Sequence, residues 1–534
     1  MAVGYAAFQP PQRQKDAPLG LLLHRFKPYL NVTIPFRSPQ TQQWEPQIRQ
    51  SETQSFPLVL VQQTLATLLS ALKPSDTSSL MGQAEGLSRE AFQQAMSQLA
   101  GVVINHPVGS SDAYRFNMRE AVLEAELVSD PAQIYFVEEA IAALLPEVYP
   151  LTTAATREQG ILVISAGTSV TELVLAKIPA NPRTLSRHHL ALRRLAYAGN
   201  ALDQDIICQL LLPSAIGWEA LSLNQLNLPL PGEPDLQVRY RLQQRLESVP
   251  LGQTILRAVR QIKPSLCQQD VSFTLEGYPW QLRYQDLRNW VLAPYLQQLN
   301  REVNLLLTQL ELAPNTIQTV VCTGGTASIA LIPQWLQRKF PQATVVHGAT
   351  GNGATGNDTA GDEATSNGTI NLNRATSDDQ QISMGLALLP HFPGVLDNDR
   401  HQFSQYFLLR ETLKTLPVQA EPLSEARILS LLEAQGIPTS VCQAFVNELL
   451  EGQLPSGLLL SKASAVLLSP ESVQNTDYQE LAVAPLFSRQ GNQVYRLNRQ
   501  QRDRLWSHLQ IILANTHQTL EAPLDIGLEA AKQK

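Results

Sequence analysis

Two short glycine turns carry the residue types that could hold a phosphate. One lies in "ILVISAGTSVTEL", Ile161 to Leu173, where an apolar run breaks into the small residues Ser165 to Ser169 and then resumes. The other lies in "VVCTGGTASIALIPQWL", where Gly324 and Gly325 follow a β-branched run and precede a helical pattern. Backbone N–H groups bared at such turns favour an anion. Taken singly, each is also how an ordinary tight turn reads. Other chemistry-bearing residues are sparse. Cys208, Cys267, Cys322 and Cys442 have no CxxC spacing and read as buried free thiols of a reducing compartment. The histidines form no paired-ligand pattern, so no metal site is expected.

Composition narrows the function classes. A chain of 534 residues predicts two to four domains. A net charge of -7 and the lack of a Lys/Arg block argue against phosphate-neutralising nucleic-acid binding. No apolar run reaches the ~18 residues that a membrane span needs. The expectation is a cytoplasmic protein with neither nucleic acid nor membrane as partner.

The turns need elements to position them. "GVVINHP" reads as a strand ending in a loop, and the helix after it can be capped by Ser111 or Asp112. "AQIYFV" reads as a strand and "EEAIAALLPEV" as a helix. The stretch around Gly167 supplies two strands, and "HHLALRRLAYAGNALDQDIICQLLLP" a strand, a Gly-Asn turn and a helix. A hairpin is expected over 271–284. A long helical pattern runs from Asp286 to Leu312, kinked or split at Pro294. "IQTVVCTGG" and "ATVVH" add two more strands. Such alternation implies a layered α/β architecture. Residues 348–381, with "GATGN" twice in tandem, predict a disordered surface loop. From 391 the pattern turns to short amphipathic helices, one capped by Ser424, which predicts a packing or partner-binding module.

The order of these pieces resembles the nucleotide-binding domain of the DnaK-type heat-shock chaperone family, which has the actin-like ATPase fold. "VVINHPVGSSDAYRFNMREA" is similar to its strand–proline–loop–helix segment. "VEEAIAAL" resembles its glutamate-led interdomain helix, and "VISAGTSVTEL" its second phosphate hairpin. "AGNALDQDI" resembles its Gly-Gly-x-x-Phe-Asp segment, and the Gly324–Gly325 stretch its adenosine motif. The resemblance implies two ribonuclease-H-like lobes, the first incomplete at its N-terminus: 21–195 and 196–390, after a disordered lead over 1–20. A mostly helical module would fill 391–534. The Gly167 turn of the first lobe would then face the Gly324–Gly325 turn of the second across one cleft.

The resemblance also assigns residues. Gly167, Thr168, Ser169 and Glu172 would line the phosphate hairpin. Gly199, Gly324, Gly325 and Ser328 would serve the nucleotide, and Lys263 its ribose. Glu138, with Asp203 beside the Gly199 turn, keeps an acid of the motifs, and Lys27 takes the place of a catalytic lysine. ATP, with Mg²⁺, is the implied cofactor. Departures are as informative. The family's opening Asp-x-Gly-Thr hairpin has no counterpart in residues 1–20. Ser165 replaces an aspartate that positions Mg²⁺ through water, and Val170 replaces a threonine hydroxyl. Ser328 stands for a stacking arginine, Arg260 for a glutamate and Pro264 for a second arginine. Phosphoryl transfer rests on positioning and charge neutralisation, so hydrolysis is expected to be weak or absent while nucleotide binding stays open. Two alternatives remain open at this point: an active ATPase chaperone whose first hairpin is missing from this chain, and a scaffold that takes no nucleotide. A protein partner would dock through the C-terminal helices.

Overall fold

The segment Gln159–Ala166 is apolar and buried almost throughout, as a strand covered on both faces must be. A computed structural model of the protein describes residues 27–32, 35–52, 54–73, 86–153, 159–214, 218–347, 378–396, 404–416, 422–491, 493–514 and 516–517. It divides into two compact units, one formed by 105–109 with 137–396, the other by the described parts of 1–104, 110–136 and 397–534.

The unit over 137–396 is built on one five-stranded mixed sheet. Its strands are β1 (Gln159–Ala166), β2 (Thr171–Ile178), β3 (Leu190–Leu195), β4 (Ile317–Thr323) and β5 (Thr344–His347), in the order β5-β4-β1-β2-β3. β1, β2 and β3 form an antiparallel meander, with Ser165 opposite Glu172 and Glu172 opposite Arg194. β4 runs parallel to β1, and β5 parallel to β4. Helices α1 (Glu139–Val148), α2 (Gly199–Ile206), α3 (Pro250–Leu266), α4 (Ala293–Gln309) and α5 (Asp378–Leu388) complete the layers used below. Leu162, Ile164, Leu173 and Leu175 share a core with Val259 of α3 and with Tyr295, Leu299 and Val303 of α4. On α1 packs α5, so closely that a Cβ on Gly385 would lie 1.7 Å from the Ala142 carbonyl oxygen. The fold is therefore mixed α/β, as the alternating pattern implies.

Three sequence expectations change. The hairpin assigned to the first lobe hydrogen-bonds into the same sheet as β4 and β5, so no division falls after residue 195. The break expected at Pro294 is a π-type turn at Arg288–Leu292 that ends just before α4. The tail over 391–534 does not stand alone. Its helices Gln405–Thr415, Glu425–Glu433 and Arg499–Leu513 bury Tyr406, Ile428, Leu432, Leu505, Leu509 and Ile512 with Phe36 and Phe116 from the N-terminal part. Ser424 does cap its helix, accepting from the Arg427 N–H, and Ser111 caps Asp112–Glu124. A three-stranded antiparallel sheet joins these helices: Leu423–Ser424, Val494–Leu497 and Phe487–Gly491. The lead over 1–20 lies outside the described residues, as does 348–377 of the low-complexity segment; its last four residues, 378–381, begin α5. No helix among the described residues is long and apolar enough to cross a membrane.

Candidate functional site

Parallel pairing puts Ser165 at the end of β1 opposite Thr323 at the end of β4. The two glycine turns therefore leave the carboxyl ends of neighbouring strands, where ligands of open α/β sheets bind. They meet, as the resemblance implies, but from one sheet and not from two lobes. Gly324 has φ +87°, and a Cβ there would sit 2.4 Å from the Ala166 carbonyl oxygen, so glycine is required. The Thr326 N–H donates to that carbonyl at 3.0 Å, and its Oγ1 donates to the Gly167 carbonyl at 2.8 Å. α2 starts beside them. The Gly199 N–H donates to the Gly167 carbonyl at 3.2 Å, and the Asn200 N–H to the Thr168 carbonyl at 2.7 Å.

Gly167, Thr168, Gly199 and Gly324 thus come together, with Ser169 in the same hairpin turn. Gly325 is exposed beside them, and its carbonyl accepts from the Ser328 Oγ at 2.9 Å. Lys263, on α3, also reaches the cluster. Its Nζ donates to Asp203 Oδ1 at 2.7 Å and to the Gly199 carbonyl at 3.1 Å. Arg260, one turn earlier, lies 3.6 Å from the other Asp203 oxygen. Lys27 opens the turn Lys27–Asn31, which belongs to the other unit.

A second group of side chains lies along the hairpin. Ser165 Oγ donates to Glu139 Oε1 at 3.0 Å, and Asn105 Nδ2 donates to Glu139 Oε2 at 3.1 Å. Glu172, 2% exposed, accepts from the Val108 N–H at 3.0 Å. Burial pushes the Glu172 carboxyl up to about 8, and the charge of Glu139 adds to this, against smaller opposing effects of the Val108 N–H and Arg194. Glu172 is therefore mostly neutral at pH 7. Glu138 ends the strand before α1 and behaves oppositely. Burial alone would raise its carboxyl, but Arg187 outweighs that and holds it below the usual carboxylate range. Arg187 Nη1 is 2.6 Å from Glu138 Oε2, and its Nη2 meets Oε1.

These residues do not fit Mg²⁺-dependent phosphoryl transfer. A hard cation needs charged oxygens. Glu172 on the hairpin is neutral, Ser165 offers a hydroxyl already given to Glu139, and Glu138 is bound in an ion pair. Among the described residues no group of three His, Cys, Asp or Glu side chains is placed to hold a metal ion. The turns offer an anion little as well. The first N–H groups of α2, which a phosphate would use, are satisfied by hairpin carbonyls.

No protein-family model matches this chain. No curated protein matches it either.

Four contributors are not singled out by the sequence reading: Glu139, Arg187, Asn105 and Thr326. The pair of acids in "VEEAI" signals that one faces the hairpin, but a strand-to-helix junction hides which. Asn105, at the strand end before a proline, and Thr326, two residues past Gly324, were legible as polar groups at turns. Arg187, in "TLSRHHL", carries no local pattern, because its role comes from a partner 49 positions away.

Proposed function

We propose that the unit over 137–396 is a degenerate ATP-binding domain of actin-like type in a heat-shock-chaperone-like protein, without ATP hydrolysis. The sheet supports the fold: an antiparallel meander followed by two parallel strands is the plan of a ribonuclease-H-like lobe. The observation that carries the loss of hydrolysis is the hairpin itself, where Ser165 is spent on Glu139 and Glu172 is held uncharged. Phosphoryl transfer draws its rate from charge placed around phosphate and Mg²⁺, and this hairpin supplies none.

A second reading, a scaffold that takes no nucleotide, is favoured by one contact set. The Gly199 and Asn200 N–H groups are closed by the hairpin carbonyls, and Lys263 is closed by Asp203. Thermal melting with ATP and Mg²⁺ separates the readings. Saturable protection without phosphate release supports the degenerate domain. Absence of protection supports the scaffold. Phosphate release that is lost on Glu139→Gln would overturn both.

A further inference from the structure

The other unit holds a helix–turn–helix that the nucleotide-type cluster does not explain. Its helices are α6 (Gln405–Thr415), α7 (Glu425–Glu433) and α8 (Thr439–Leu450). Leu409, Leu413, Ile428, Leu432, Phe445 and Leu449 bring all three into one core. The turn between α7 and α8 is short and is set by Gly436, whose φ is +84°. There the Gly436 N–H donates to the Glu433 carbonyl at 2.8 Å and the Ile437 N–H to the Leu432 carbonyl at 3.1 Å, and Ile437 is buried. Strand β6 (Leu423–Ser424) leads into α7, and β7 (Phe487–Gly491) and β8 (Val494–Leu497) form a hairpin. The sheet order is β6-β8-β7, with Ser424 opposite Val494 and Arg489 opposite Tyr495. A three-helix core with a glycine turn before its third helix, flanked by a three-stranded sheet that ends in a hairpin, is the plan of a winged helix-turn-helix. In that plan the helix after the turn enters the major groove of duplex DNA. Residues 451–486, with their short helices, are an insertion between α8 and β7.

The outward side of α8 is the second observation. Ser440, Gln443 and Ala444 are exposed and Asn447 is half-buried, while Cys442, Phe445, Val446 and Leu449 are buried. The first four recur at helical spacing and form one uncharged stripe. Their types suit base edges: Gln and Asn amides pair with adenine, a serine hydroxyl donates or accepts, and an alanine methyl meets the thymine methyl. A protein partner would want an aromatic or aliphatic anchor, and among the described side chains of α8 no large apolar one is exposed. Arg427 on α7 and Arg489 and Arg496 on the hairpin are exposed, and none of the three is in an ion pair among the described residues. Glu448 and Glu451 lie at the end of α8 away from Ser440. Glu425 is the carboxylate tied to the stripe, accepting from Gln443 Nε2 at 3.3 Å. Over 404–416, 422–491 and 493–514, nine Lys/Arg balance nine Asp/Glu, so the chain's net charge of -7 is carried outside these residues.

We propose that this module binds duplex DNA, with the Ser440–Asn447 stripe of α8 in the major groove and the β7–β8 hairpin against the flanking phosphates. Three exposed arginines neutralise few phosphates, so recognition leans on the base edges met by Gln443 and Asn447. Gln443 exchanges its surface bond to Glu425 for a base edge as the groove is entered. Duplex RNA is disfavoured, because its major groove is too deep and narrow to be read this way.

The test uses the full chain and fluorescence anisotropy with a labelled duplex DNA pool of random sequence, with duplex RNA as competitor. The expected Kd on the unselected pool is roughly 10⁻⁶–10⁻⁴ M at physiological salt, weakening with salt at a log–log slope of about 2–3, as three phosphate contacts give. Arg489→Ala/Arg496→Ala should weaken binding about five-fold or more and lower that slope by about 2. Repeated selection from the pool by the wild type should enrich a short motif containing adenine. Gln443→Ala/Asn447→Ala should lose the enrichment while still binding the unselected pool. Melting of both variants, followed by circular dichroism, separates lost binding from lost fold. No binding of duplex DNA by the wild type at low salt would overturn the proposal and leave the α8 face to a protein. Binding indifferent to the two hairpin arginines in a folded variant, RNA that competes as well as DNA, or a pool that the wild type does not enrich would overturn it too.

Discussion

Replacing Glu172 by Gln should stabilise the unit over 137–396, and the gain should grow with pH. The carboxyl is raised from 4.5 to about 8 in the folded chain. Between those values the folded state holds a proton that the unfolded state has released, so ν_N exceeds ν_U and stability falls as pH rises. The contribution of Glu172 is thus intact below about pH 4.5 and is lost progressively toward pH 8. Raising the carboxyl from 4.5 to about 8 corresponds to a ceiling of about 5 kcal/mol. The realised value is smaller wherever the ionised carboxylate opens to water before the full cost is met. Glutamine keeps the shape. Its carbonyl can accept from the Val108 N–H, and its amide can donate toward Glu139, replacing a repulsion with a hydrogen bond. Urea unfolding of wild type and Glu172→Gln at pH 5, 6, 7 and 8, followed by circular dichroism, isolates the effect because other titrations cancel in the difference. The expected result is near-equal stability at pH 5 and an advantage of roughly 2–5 kcal/mol for the variant at pH 8. A pH-independent difference, or a variant less stable at pH 8, would refute the buried-carboxyl reasoning.

Other substitutions probe the same frame. Gly324→Ala places a Cβ 2.4 Å from the Ala166 carbonyl oxygen at positive φ, and should cost about 2–4 kcal/mol in thermal or urea unfolding. Gly325→Ala, whose Cβ meets nothing within 4 Å, should stay within about 0.5 kcal/mol. Lys263→Met leaves the buried Asp203 carboxylate, among the described residues, with the 3.6 Å contact to Arg260 as its remaining cation and should cost roughly 2 kcal/mol, read as a lower urea midpoint. Truncation after His391 removes the helices that share a core with Phe36 and Phe116, so the remaining chain should lose solubility and show apolar dye binding.

What the sequence made legible followed from local pattern. The apolar run of β1, the small residues after it and the glycines after β4 place both turns at strand ends, and Ser111 and Ser424 mark helix starts by their type alone. The pairing of strands was hidden, because β1 and β4 are separated by more than 150 residues and no local signal states which sheet a hairpin joins. The same limit concealed the tail's partner. Ile428, Leu505 and Leu509 show that an apolar face must be covered, but not that Phe36 and Phe116 cover it. At the hairpin, the expectation attached to Ser165 and Val170 came from the resemblance and not from any local pattern. That Glu172 is neutral depends on burial and on Glu139, a residue 33 positions away in sequence.

The decisive measurement is phosphate release by the full chain at high concentration with ATP and Mg²⁺, in parallel with Ser165→Asp/Val170→Thr and with Glu139→Gln. A hairpin holding a neutral Glu172 and a committed Ser165 should give release no faster than a protein-free control in all three. The restored pair should not rescue it, since a new carboxylate at 165 would face Glu139. Release by the wild type above the control that disappears in Glu139→Gln would contradict the loss of hydrolysis and make this an active ATPase.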